Sequence, residues 1–352
     1  MIKTSDTLHL FRCSIGDETY GLDMSWVRSV QRIDALLMSS DRPTNPTGFV
    51  GWLPSNEGDI PVFDLAHRLQ RPFAADRTNP QQRIIILPSP APFTHNWSAK
   101  EQPWGLLVDQ VWQVTNISGE NVVPLPPIAV NPATNYFEGV ITLDGTLILF
   151  MSPEWLHPDA PSPSNGITAT TAHDTNLNKP GLEQSATPHQ NGKSSASLKS
   201  KPAAKSAERL MIFSTISPAP GERPVVFGLS ITQSPEVLVS LPLTPVPTAP
   251  PFVAGLINWR NRPVPVIDLN MRLGLSARPI SPGEHHRFLI VRGYQPQSFA
   301  CIPIQPNARM VQLPLAYRPS NRPLPLHKEL VHGIFELEQE TLIIPNLKTI
   351  LA

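Results

Sequence analysis

Only two cysteines, Cys13 and Cys301, occur among 352 residues. Two thiols cannot build a disulfide framework or a four-ligand zinc site between them, and each lies in an apolar run, the setting of a buried packing residue. Net charge is missing as well: 28 basic and 28 acidic residues cancel, so no whole-molecule field draws the chain to nucleic acid or an anionic bilayer. No apolar stretch approaches the ~20 residues of a membrane span. The opening Met1-Ile-Lys-Thr-Ser-Asp-Thr7 lacks the apolar core of a signal peptide. The expectation is a cytoplasmic protein with no direct membrane insertion. Catalytic signatures are absent too: no Gly-x-x-x-x-Gly-Lys-Ser/Thr loop, no Gly-x-Gly-x-x-Gly after a strand, no Gly-x-Ser-x-Gly elbow and no His-Glu-x-x-His. This argues for a non-catalytic protein with no cofactor and no metal.

Proline is what the chain has in excess, with 42 residues against a usual share of about 5%. Proline opposes long helices, and the apolar runs are short, β-branched or aromatic, and bounded by Gly, Pro, Asn and Asp. That pattern predicts an all-β fold with a few short helices. The helix candidates are Ser25 to Val30, Asp64 to Leu69 and Asp268 to Leu273, and Asp64 and Asp268 are placed to cap theirs.

Composition changes abruptly after His157. From Pro158 to Ala207 scarcely an apolar residue larger than alanine occurs, and no period of 2 or 3.6 is present. Such a segment cannot offset its ordering entropy by burial, so it reads as a disordered linker. The domains are therefore 1–157 and 208–352, joined by 158–207. The two domains repeat each other. A gapless shift of 204 positions places Gly51, Pro61, Val62, Asp64, Leu65, Arg68 and Leu69 on Gly255, Pro265, Val266, Asp268, Leu269, Arg272 and Leu273. Tyr20-Gly-Leu-Asp-Met24 faces Phe227-Gly-Leu-Ser-Ile231, Arg83-Ile-Ile-Ile-Leu87 faces Arg287-Phe-Leu-Ile-Val291, and Glu138-Gly-Val-Ile-Thr-Leu143 faces His332-Gly-Ile-Phe-Glu-Leu337. One β-rich domain has been duplicated.

The order aromatic-Gly-Leu, then Gly-x-x-Asn-x-Arg-x-x-x-x-Pro-Val-x-Asp-Leu, then Gly-x-x-Val-Asp-x-Val, then Gly-aliphatic before a closing strand resembles the CheW-like domain of bacterial chemotaxis coupling proteins. The resemblance rests on Gly255, Asn258, Arg260, Pro265, Val266, Asp268 and Leu269, and on Gly51, Pro61, Val62, Asp64, Leu65 and Gly105-Leu-Leu-Val-Asp-Gln-Val111. It implies two small five-stranded SH3-like barrels per domain, sharing an apolar seam. It further implies a coupling scaffold whose partners are a CheA-type histidine kinase, the cytoplasmic tips of methyl-accepting chemoreceptors and other CheW-like proteins, with recruitment to membrane-associated receptor arrays. The candidate partner-binding residues are Asn258, Trp259 and Arg260, with Asn56 at the place of the arginine in the first domain. The copies depart from the pattern differently. The first carries Pro54-Ser-Asn-Glu-Gly58 in place of the Asn-x-Arg-Gly turn. The second has Asn261 for its glycine and Cys301-Ile-Pro-Ile304 where Val108-Asp109 has its counterpart. Two other readings stand beside this one: a β-barrel peptide or ligand module outside chemosensing, and an enzyme with an unrecognised site. His285-His286 lacks a second ligand cluster near it in sequence, and Trp97 and Trp104 flank a loop rich in Pro, Ser and Asn, where one of them is expected to be exposed unless both cover the barrel end.

Overall fold

The computed structural model describes residues 7–38, 48–56, 58–71, 79–88, 103–131, 136–157, 209–215, 223–239, 241–279, 287–293, 295, 298–312, 318–320 and 323–351. The segment 158–207, read as a linker, lies outside them. The described chain is built from strands, with four helices of four or five residues.

Each half carries two sheets. In the central sheet of the first half the strand order is Ser29–Arg32, Arg83–Leu87, Trp104–Val108, Ile60–Asp64, Phe49–Leu53, Leu37–Met38. The second half repeats it as Glu236–Val239, Arg287–Arg292, Phe299–Ile304, Arg262–Ile267, Val253–Trp259, Leu243–Thr244. In both, the third and fourth strands run parallel and all other neighbours antiparallel. The flanking sheet of the first half follows the same scheme: Thr115–Ser118, Thr7–Ile15, Glu18–Asp23, Thr146–Met151, Phe137–Leu143, Val122–Val123, with Gln110–Val111 also on Thr7–Ile15. That of the second half is Arg309–Gln312, Arg209–Phe213, Val225–Ser230, Thr341–Pro345, Val331–Glu336, Arg318–Pro319. One pattern is thus used four times. Within a half the two copies are circular permutations, because the chain lays down two flanking strands, completes the central sheet, and returns to finish the flanking one.

Glycine explains the shared irregularity. In every sheet the register shifts at one glycine of the fifth strand: Gly51, Gly139, Gly255 and Gly333. A Cβ on Gly139 would lie 2.6 Å from the Val123 carbonyl, and on Gly255 2.5 Å from that of Thr244. The edge segment crosses too closely for any side chain. A second signature, an aromatic before a glycine, recurs at Tyr20-Gly21, Trp104-Gly105 and Phe227-Gly228, where each aromatic is 1% exposed. The fourth copy reads Ala300-Cys301 in the same register, since Val62 pairs with Gly105 and Val266 with Cys301.

Strand alternation builds two kinds of core. Ile84, Ile86, Val50, Val62 and Leu107 fill the inside of the first central sheet, and Ile257, Trp259, Val264, Val266, Ile290 and Cys301 that of the second. The alternate residues Ile85, Leu87, Trp104, Leu106, Leu289, Val291 and Ile302 face a larger apolar cluster that runs through both halves and holds Cys13. Strands apolar on both faces are the result, as Arg83-Ile-Ile-Ile-Leu87 shows.

The fourth-placed strand of each central sheet runs into a short helix, as the sequence predicts. Asp64 and Asp268 cap the helices Leu65–Arg68 and Leu269–Leu273, their carboxylates accepting from the Ala66 amide at 2.8 Å and the Met271 amide at 3.1 Å. Helices Pro153–Leu156 and Leu347–Ile350 stand at the matching places after the flanking sheets. The helix expected from Ser25 to Val30 is corrected. Met24–Trp26 is a single 3-10 turn capped by Asp23, after which the Arg28 amide donates to the Ile86 carbonyl at 2.9 Å and Ser29–Arg32 joins the sheet edge. Ladder bonds and the β-branched Val27 and Val30 outweigh a helix of under two turns.

Candidate partner-binding hairpin

Trp259 pairs with Arg262, so Arg260 and Asn261 alone turn the hairpin. Their φ angles are +54° and +60°, a type I′ turn, whose twist matches the flanking strands. Asn261 tolerates the left-handed region where the family has glycine, but Arg260 is strained there. Contacts with Glu236, at the far edge of the same sheet, accompany that strain. One oxygen, Glu236 Oε2, accepts from Arg260 Nη2 at 3.0 Å and from Trp259 Nε1 at 2.9 Å. The guanidinium also stacks over the Trp259 ring at 4.7 Å. Its side chain nevertheless remains 71% exposed, a cation presented from a braced turn.

Trp259 itself is 7% exposed and meets Phe299 edge-on at 4.7 Å inside the second half. It holds the hairpin and presents no aromatic face outward. Asn258 points the other way along the strand, and its Nδ2 donates to the carbonyl of Gly145, in the first half, at 3.0 Å. Asn56 is not brought to these three. Pairing in the first half ends at Leu53 with Ile60, leaving the six-residue loop from Pro54 to Asp59 in place of a two-residue turn, with Asn56 exposed on it. Sequence position equates Asn56 with Arg260; backbone geometry does not.

The other divergent stretch also has a local meaning. Asp109 fastens the first hairpin of its half, accepting from the Gly16 amide at 2.7 Å and from Gln82 Nε2 at 3.1 Å. At the corresponding place Gln305 keeps the backbone bond, its amide donating to the Ser214 carbonyl as that of Asp109 does to Ser14. Pro303 offers no N–H where Leu107 pairs with Asp64. The parallel register accordingly shrinks from three residue pairs in the first half to one in the second.

The CheW-like domain profile matches residues 9–159 and 220–352. The chain belongs to the CheW-like domain family. It is a tandem CheW-like protein, matched once in each half. One relative, a probable chemotaxis protein CheW of Rhizobium etli, is 24% identical over 148 residues, 42% of this chain and 86% of that one. The scaffolding protein TtCheW of Thermoanaerobacter tengcongensis is 23% identical, with a TM-score of 0.34, over 43% of this chain and 91% of its own.

Among the described residues no group of three or more His, Cys, Asp or Glu side chains could hold a metal ion, and no helix is long and apolar enough to cross a membrane. His285, His286 and Trp97 lie outside the described residues. Trp104 is a core residue, donating from Nε1 to the Pro88 carbonyl at 3.1 Å. Burial pushes the Cys13 thiol up to about 12 and that of Cys301 well above its ordinary value, so both are inert packing groups of the CheW-like fold. Glu236 was not foreseen from sequence, since the curl of the sheet, which brings its edge strand round to the hairpin, is what joins residues 24 positions apart.

Proposed function

We propose that this tandem CheW-like protein is a non-catalytic coupling scaffold of a bacterial chemosensory array, joining chemoreceptor tips to a CheA-type histidine kinase. The observation that carries the reading is a division between two complete CheW-like halves. At this hairpin, and among the described residues, the second half presents an exposed arginine braced by Glu236 and Trp259 where the first has Asn56 on a longer loop. A guanidinium held this way suits charge-assisted, bidentate recognition of a carboxylate on a receptor or kinase. The first half, with a loop in place of the turn, serves a different contact. The name of the Rhizobium etli relative supports a role in chemotaxis, and such a scaffold would work in the cytoplasm, recruited to membrane-associated arrays. Binding of the purified chain to a CheA-type kinase and to a receptor cytoplasmic fragment, measured by calorimetry, tests the proposal. Binding to both is expected, and a folded chain that binds neither overturns it.

A further inference from the structure

Asn258 is the one candidate site residue whose side chain reaches across the molecule. Its bond to the Gly145 carbonyl belongs to a wider contact: strand Val253–Trp259 of the second half lies against strand Thr146–Met151 and against the Pro127–Ala129 turn of the first. The apolar cluster is continuous through this region. It includes Leu256, which shares the outer face of the strand with Asn258, together with Ala129, Leu147 and Leu149, and Ile128 packs on it. We propose that the outer face of strand Val253–Trp259 is an interaction surface whose partner is the flanking sheet of this chain's own first half.

Duplication decides between one chain and two. Each half owns both kinds of sheet, so the same contact can be drawn a second time, between the central sheet of the first half and the flanking sheet of the second, in another copy. Such a head-to-tail contact would propagate into filaments or rings. Both of its elements have been lost, however. Pro54 stands in the place of Asn258 and has no side-chain donor. The Asp144-Gly145 turn is replaced by the longer connection Leu337 to Glu340, closed by its own amide-to-carbonyl bond at 2.9 Å. The surviving contact is made within the chain, where covalent linkage of the halves favours it over the same contact between chains. The functional consequence is a divided hairpin. Its Asn258 side is occupied by the first half while Arg260 stays outside, so an external partner that needs Asn258 competes with the first half, and one that needs only Arg260 does not.

The test is a disulfide trap in the full chain. Gly145→Cys with Asn258→Cys, at low micromolar concentration under mild oxidation, is expected to close a bond within one chain at least tenfold faster than a reference pair of Asp34→Cys with Asn258→Cys. Asp34 is 67% exposed on the first half, so the reference pair reports random collision between the halves. Thr146→Cys with Asn258→Cys serves as the second trap if the Gly145 variant misfolds. Amide hydrogen exchange gives an independent readout: Asn258→Lys is expected to speed exchange at least threefold in 127–129 and 146–151. Equal closing rates for trap and reference, crosslinks only between chains, or unchanged exchange in the first half each overturn the proposal.

Discussion

Replacing Arg260 by alanine separates recognition from stability. The side chain makes one ion pair, with Glu236 at 3.0 Å, and one stack on Trp259 at 4.7 Å. An arginine this exposed gains a few tenths of a kcal/mol from the pair and about 0.5–1 kcal/mol from the stack. The left-handed backbone strain stays in the alanine variant. The expected loss of stability is about 1 kcal/mol, a fall of roughly 2–4 °C in Tm. A partner carboxylate held by the guanidinium loses more, about 1–3 kcal/mol, or some 5- to 150-fold in Kd. Glu236→Gln is the control. It weakens both bonds to Oε2 and lowers Tm by at least as much, yet leaves Arg260 able to engage a partner, so affinity is expected to stay within about threefold. Titration calorimetry against kinase and receptor fragments, beside differential scanning calorimetry, gives both numbers. Wild-type affinity in Arg260→Ala refutes the reasoning. Equal affinity losses in Arg260→Ala and Glu236→Gln refute it too, because the arginine would then be a strut for the hairpin.

Gly255→Ala should cost about 2–4 kcal/mol in urea unfolding, because its Cβ would meet the Thr244 carbonyl at φ +149°. Gly145→Ala, with nothing within 4 Å, should cost only about 1 kcal/mol from its positive φ. Asp268→Ala removes a helix cap and should cost about 0.5–2 kcal/mol without changing partner binding. Neither cysteine should react with a thiol reagent in the native chain at pH 8, and both should react in denaturant. The raised Cys13 pKa sets a sign for alkaline stability: above about pH 9 the unfolded thiol loses its proton first, so stability falls as pH rises toward 12. Urea midpoints at pH 7.5 and 10.5 check this, and an unchanged midpoint contradicts the burial of Cys13.

The duplication was legible because corresponding strands of the two halves keep one offset over long stretches. The deeper fourfold repeat was not. Permutation splits each flanking sheet between the ends of its half, so no sequential alignment sets Gly139 beside Gly51 or Tyr20-Gly21 beside Trp104-Gly105. The helix expected from Ser25 to Val30 fails because the open edge beside Arg83–Leu87 claims the chain. At the site, Asn258 and Arg260 could be found from their motif. Alternation also places Trp259 inward with Ile257, a local signal outweighed by the usual role of tryptophan in interfaces. Glu236 and Gly145 were beyond reach, since the curl of the sheet and the packing of one half on the other bring them to the hairpin.

The most direct measurement is affinity capture with the tagged full chain from membranes of the cells that produce it, with quantitative mass spectrometry against the Arg260→Ala chain as reference. A CheA-type kinase and chemoreceptors are expected to be enriched together, with the reference chain losing at least one of them. A stable, folded chain that enriches neither contradicts the coupling role.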